Sequence, residues 1–182
     1  MKVLIFIGSL RSASFGRKIA QSVKATAPSI MTFEEIDGCD VPLYNQDLDG
    51  DEKPPAVRDL IAQINGSDAL IFVTPEFNFG IPASLKNAID WASRPAFRSP
   101  LKNKPALILA YSPAPTGGAR AHSQLSAVLA GTLTPLLNAP SFLIPTVHEK
   151  FDAADELTDE STKRRLVRTL EDFAEWAKTL AD

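Results

Sequence analysis

The 182-residue chain has little of what most site chemistries require: one cysteine, two histidines and no excess of basic residues. A single cysteine, Cys39, excludes an internal disulfide framework and a cysteine-rich metal site, leaving a structural or incidental thiol. His122 and His148 lack metal-ligand spacing to acids or to the cysteine. They also fail to complete a Ser-His-Asp set. No metal is expected. Nineteen Lys and Arg against 22 Asp and Glu give a net charge of -3, without the basic footprint of a nucleic-acid binder. No run approaches the ~18 consecutive apolar residues of a membrane span. The opening apolar stretch ends at Gly8 and has neither the length nor the small-residue cleavage pattern of a signal peptide. The expectation is a cytoplasmic protein with no nucleic-acid or membrane partner. Dinucleotide G-x-G-x-x-G and Walker G-x-x-x-x-G-K-[ST] patterns are absent, as are internal repeats and linkers.

What is present is an ordinary globular composition, 45% apolar and 23% charged. The length suits one domain with a real core over residues 1–182. Five apolar, branched runs read as strands at residues 3–7, 31–36, 69–73, 106–111 and 142–146. The first, third and fourth are nearly continuous, as in central parallel strands buried on both faces. The second alternates, which suits an edge. Helical patterns lie between them. Ile19, Val23 and Ala27 recur every four residues. Val57, Leu60, Ile61 and Ile64 follow Pro54-Pro55, a good helix start. Pro82 opens a helix. Leu125, Val128, Leu129, Thr132, Leu133 and Leu136 predict another, and Leu166, Leu170, Phe173, Ala177 and Leu180 stripe the last. That last helix begins near Thr158, with Asp159 and Glu160 in its first turn. Residues 37–53 form a polar, acid-rich surface excursion. Strand-helix alternation predicts an α/β fold: a flavodoxin-like, doubly wound, five-stranded parallel sheet of order 2-1-3-4-5, with helices on both faces. Its switch point, where open α/β sheets bind ligands, lies between strands 1 and 3.

Three loops at that sheet edge carry chemistry. Gly8-Ser9-Leu10-Arg11-Ser12-Ala13-Ser14-Phe15-Gly16 follows strand 1, with hydroxyls, one fixed cation and a helix starting near Ser14. A helix N-terminus with a guanidinium beside it receives a phosphate dianion, here a mononucleotide's. Taken without Arg11, the hydroxyls read as helix caps. The second loop opens residues 74–94: Thr-Pro-Glu-Phe-Asn-Phe-Gly-Ile-Pro-Ala-Ser-Leu-Lys-Asn-Ala-Ile-Asp-Trp-Ala-Ser-Arg. Prolines stiffen it, Gly80 permits close backbone approach, and Phe77 and Phe79 offer faces to a flat ring. Core packing is the alternative for both rings. Glu76 reads as an acid-base group or, more simply, a solvated loop carboxylate. The third loop, Ser112-Pro113-Ala114-Pro115-Thr116-Gly117-Gly118-Ala119-Arg120, brings peptide donors close to a ligand or is a flexible turn. Lys163, Arg164, Arg165 and Arg168 read as a solvated helix face, and Trp91 and Trp176 as packing or interface residues.

Gly8-Ser9-Leu10-Arg11 with Ser14, the run 74–94, and Ser112 with Gly117-Gly118-x-Arg120 resemble the NADPH-dependent FMN reductase family. The resemblance covers roughly residues 2–137. It implies FMN as cofactor, with the phosphate held by Ser9, Arg11 and Ser14 and with Phe15 and Gly16 in the same cofactor site. It places Pro75, Glu76, Phe77 and Asn78 along the flavin ring, with Ser112, Gly117 and Gly118 nearby. It implies NADPH or NADH as donor, ping-pong hydride transfer through flavin N5 with no catalytic side chain, and a quinone-like acceptor. It further implies a homodimer or homotetramer with Asp90 and Arg94 at subunit contacts. Two positions depart from the family pattern: Gly16 stands where Asn is frequent, and Phe77 where Tyr is frequent. The same fold and phosphate loop would serve a flavodoxin-type electron carrier or a flavin-free interaction protein.

Overall fold

Strands β1 (Lys2–Ile7), β2 (Thr32–Ile36), β3 (Ala69–Pro75), β4 (Ala106–Tyr111) and β5 (Phe142–Ile144) form one parallel sheet in the order β2-β1-β3-β4-β5. The computed structural model describes residues 1–37 and 40–180; the reading of Cys39 lies outside the described residues. Val3 pairs with Ala69 and Ile7 with Val73, so the carboxyl ends of β1 and β3 lie on one edge, with β3 running two residues further to Pro75. Among the described residues no helix is long and apolar enough to cross a membrane.

Side chains alternate between faces along each strand, and both faces of the central strands are covered. Ile5, Ile7, Val73, Leu109 and Tyr111 pack beneath α1 (Phe15–Thr26) and α5 (Glu160–Thr179). Leu4, Phe6, Phe72 and Ile108 pack beneath α2 (Pro55–Asn65), α3 (Ala83–Ala92) and α4 (Ala119–Gly131). Phe6 and Phe72 stack at 4.8 Å across the β1–β3 seam. Burial of rings this completely makes their truncation cost about 3–5 kcal/mol. β2 is an edge strand with a largely exposed pattern, and Lys2 pairs with Glu34 across it.

Helix starts follow local chemistry. Ser14 caps α1 by accepting from the Arg17 amide, and Asp159 caps α5 by accepting from the Thr162 amide at 2.8 Å. Pro54 and Pro82 stand at the N-caps of α2 and α3.

Two expectations need correction. The helix predicted through Leu136 ends at Gly131. Leu133 takes a positive φ of 59° and accepts from the Asn103 amide, and Leu136 forms a single bridge to Ala106. The apolar period continues past the helix because Leu136 still faces the same core. β5 stops at Ile144, since Pro145 lacks an N–H and Thr146 is left-handed at φ 42°. The surface excursion predicted after β2 is largely exposed and is fastened to α3 at residues 41–44. Asn87 donates to the Val41 and Pro42 carbonyls and accepts from the Tyr44 amide, and Trp91 Nε1 donates to Pro42 O at 2.7 Å. Fully buried Trp91 is a packing residue, edge-on to Tyr44 at 4.9 Å, while Trp176 is half-buried beside Phe173.

Candidate functional site

The loop after β1 crosses directly over the end of β3. The Gly8 amide donates to Val73 O at 2.8 Å, and a Cβ on Gly8 would stand 3.1 Å from that oxygen and 3.2 Å from Pro75 Cδ. This crowding requires glycine and seats the loop at the switch point. Ser9 and Ser14 are buried, while Arg11 is exposed and makes no ion pair among the described residues. The first turn of α1 contains no acid. Its unpaired amides carry the positive end of the helix dipole. Phe15 turns away from the crevice onto Phe151, with ring centroids 6.0 Å apart.

The loop after β3 is a tight two-residue hairpin turn. Phe77 and Gly80 exchange both backbone hydrogen bonds at 2.9 Å, and Asn78 and Phe79 between them are left-handed at φ 48° and 65°. Two consecutive positive φ values define a type I′ turn, to which Asn is well suited and Phe is not. The turn projects both rings outward: Phe77 is 52% and Phe79 71% exposed. The two phenylalanines therefore form a mouth and not a core. Pro75 lies buried at the strand end, paired with Tyr111.

Glu76 is not the solvated carboxylate that the sequence suggested. Its side chain is only 7% exposed. One oxygen accepts from the Arg120 and Ala121 amides at 2.9 and 3.3 Å, and the other from Arg120 Nη1 at 3.1 Å. It thus caps α4, whose own N-cap, Gly118, has no side chain to do so. The Arg120 guanidinium also lies 4.3 Å from the centre of the Phe79 ring. Gln124, one turn along α4, accepts from the Ile81 amide at 2.7 Å. The hairpin and α4 are thereby one latched unit.

The third loop is held from below. Ser112 Oγ accepts from the Ala114 amide, and the Ser112 amide donates to Ile144 O. Gly117 and Gly118 are left-handed at φ 62° and 87°; a Cβ on either would come within 2.9 Å of strand-end backbone, at Pro145 N and Tyr111 N. The glycine requirement therefore arises from packing on β4 and β5, not only from approach to a ligand. Residues 113–116 above them are exposed.

Sequence reasoning missed Tyr111. This last residue of β4 is 4% exposed, and burial pushes its phenol up to about 12 although the Gly16 amide, Ser9 and Arg11 all favour its charged form. Its hydroxyl lies 2.9 Å from the position of a Cβ on Gly16. A lone tyrosine among the small and aliphatic residues of that strand was the available signal. The basic face on α5 is exposed as expected; within it Arg165 also donates to Leu143 O and lies 4.4 Å from the centre of the Phe142 ring. His122 is partly buried, with its pKa lowered by desolvation, and faces Ser126.

The arrangement fits a flavin mononucleotide. Buried hydroxyls, acid-free helix amides and an unpaired guanidinium suit a phosphate dianion at one end. Exposed aromatic faces and a rigid turn suit a flat ring at the other. Of the predicted positions, Ser9, Arg11, Ser14, Phe77, Asn78, Ser112, Gly117 and Gly118 lie on the three loops at the carboxyl edge of the sheet, with Gly16 in the first turn of α1 and Pro75 at the end of β3.

Comparisons with known proteins point the same way. The family model described as NADPH-dependent FMN reductase matches residues 1–149. A 2-hydroxy-1,4-benzoquinone reductase of Burkholderia is 36% identical over 98% of this chain and 97% of its own length. An NAD(P)H-dependent FMN reductase of Pseudomonas aeruginosa is 38% identical over 99% and 97%. Among solved structures, a flavoenzyme NAD(P)H:(acceptor) oxidoreductase from Paracoccus denitrificans superposes with a TM-score of 0.87 at 32% identity, covering 98% and 97% of the two chains.

Proposed function

The chain belongs to the NADPH-dependent FMN reductase family, and we propose that it is an FMN-dependent NAD(P)H oxidoreductase that passes electrons to a quinone-like acceptor. The observation that carries this reading is the combination of Arg11, without an ion pair among the described residues, at an acid-free helix N-terminus with an exposed aromatic hairpin on the same sheet edge. Bound FMN would supply the chemistry, accepting hydride at N5 from NAD(P)H and releasing it to the acceptor in a ping-pong exchange.

The protein's own groups bind and orient. Arg11, Ser9 and Ser14, with the Phe15 and Gly16 amides, would neutralise the phosphate through charge-assisted hydrogen bonds. Pro75, Phe77 and Asn78 would support the ring from the hairpin, and Ser112, Gly117 and Gly118 would border it from the third loop. The Glu76 carboxylate acts through structure: it holds the hairpin against α4 and is already occupied by three donors. No proton transfer is assigned to it. Exposure of the hairpin leaves one side of the site open, as a donor and an acceptor that replace each other require.

Cytoplasmic residence and a homodimer or homotetramer belong to the same proposal. Leu43 and Phe97 are exposed large apolar residues beside Tyr44 and Arg94, and Arg94 stacks 5.2 Å from the Tyr44 ring. This supports a subunit contact along the α3 side, where Asp90 is paired with Lys86. Steady-state kinetics test the enzymatic reading. Varying NADPH or NADH against benzoquinone is expected to give parallel double-reciprocal lines. Absence of turnover with both donors in an FMN-loaded protein would instead favour a flavodoxin-type carrier.

A further inference from the structure

Tyr111 ends β4, two positions from β1 in the sheet, yet its hydroxyl reaches the phosphate loop. Its ring belongs to the apolar cluster beneath α1 and α5. The hydroxyl stands 2.9 Å from where a Cβ at position 16 would be, with the ring's Cε1 at 3.6 Å from the same point. Glycine at 16 is thus the residue that admits this phenol. The Gly16 amide and the Ser9 side chain are near enough to the phenol to favour its charged form. That amide is the second of α1 and has no partner within the helix. A ring used only as filler would not need a hydroxyl beside Ser9 and Gly16, and a buried hydroxyl is costly unless it is hydrogen-bonded.

We propose that Tyr111 is a positioning residue of the phosphate site, its hydroxyl filling the space of a side chain at position 16 and holding Ser9 and the Gly16 amide in place for the FMN phosphate. The proposal rests on the FMN reading above and adds to it a residue from a different strand. The phenol remains protonated to high pH. It therefore has a proton to give to Ser9 or to the phosphate, while its lone pairs share the Gly16 amide with the phosphate.

The test compares two ligands that differ only in the phosphate. FMN and riboflavin are titrated into the full-length protein, and dissociation constants are read from flavin fluorescence. Tyr111→Phe is expected to weaken FMN about tenfold, the scale of one hydrogen bond in a charged site, and to leave riboflavin unchanged. Gly16→Ala pushes the hydroxyl aside and is expected to show the same selective loss. In Gly16→Ala/Tyr111→Phe the second change adds nothing to the first. A tyrosinate absorbance step near pH 12, present in the wild type, is expected to vanish in Tyr111→Phe.

Equal losses for both flavins would overturn the proposal and make Tyr111 a packing residue. Unchanged FMN affinity, or additive effects in the double variant, would overturn it as well. Wild-type protein that binds neither flavin would remove the FMN reading itself, a result distinct from wild-type binding that ignores Tyr111. Gly16→Ala keeps the test decisive if Tyr111→Phe fails to fold.

Discussion

The two ends of the crevice are built in opposite ways. At the phosphate end Ser9, Ser14 and Tyr111 are buried, the amides of α1 are fixed, and the cation Arg11 makes no ion pair among the described residues. At the ring end the rings of Phe77 and Phe79 are exposed, while the cation Arg120 is bound to Glu76 and stacked on Phe79. One end has free charge on a closed polar floor. The other has its charge neutralised and its apolar surface open. A grip that must not let go wants the first arrangement, because preset donors lose little entropy on binding. A surface that must accept one flat molecule and then another wants the second.

The largest expected effect comes from removing the free charge. Arg11→Ala is expected to weaken FMN by roughly 1.5–3 kcal/mol, the value of a hydrogen bond to a charged group, with riboflavin unaffected. Titration with both flavins measures it, and an equal effect on both would erase the distinction between the ends. At the ring end, Glu76→Ala leaves α4 uncapped and the hairpin unlatched, with an expected stability loss of about 1–3 kcal/mol by denaturant unfolding. Glu76→Gln keeps an acceptor and should recover part of that loss. If Glu76→Gln abolished turnover at unchanged stability, Glu76 would be an acid-base group after all.

A control outside the three loops calibrates these values. Asp159 caps α5, and hydrogen bonds from the Thr162 side chain and amide hold its pKa down to about 2. A depressed carboxylate contributes stability that is complete above its ordinary value and is lost as pH falls through the folded value. Asp159→Ala should therefore cost about 1 kcal/mol at neutral pH and progressively less from about pH 4 to pH 2. Thermal melts across that range measure it, and an undiminished difference at pH 2 would contradict the cap.

The smallest effect is expected at Phe79. Glycine there would release about 1 kcal/mol of left-handed strain and forgo a cation–π contact of comparable size, so stability should hardly change. The KM for the acceptor should rise and FMN affinity should not. A drop in FMN affinity equal to that of Arg11→Ala would show both ends to be one grip.

Much of this was legible in the sequence. β1, β3 and β4 read as continuous apolar runs because both of their faces are covered, and the bounds of β4 matched to the residue. Ser14 marked a helix start by cap chemistry, and the start read near Thr158 fell one residue short of the actual cap, Asp159. The end of α4 did not read correctly, because Leu133 and Leu136 keep a helical spacing after the chain has turned. The Glu76 latch was hidden because a carboxylate that caps a helix far along the chain has no local signature. The only hint was a helix opening on Gly118, without a capping side chain. Tyr111 was hidden for the same reason: its partners on the first loop are brought near by sheet order and not by sequence.

The most direct test of the reductase reading is a single anaerobic cycle. Protein loaded with FMN is mixed with NADPH, and in parallel with NADH, and its yellow colour is followed. Benzoquinone is then added. The account predicts rapid bleaching by at least one nicotinamide and recovery of the colour on addition of the quinone. Flavin that stays yellow with both donors, in protein shown to have bound FMN, would contradict it.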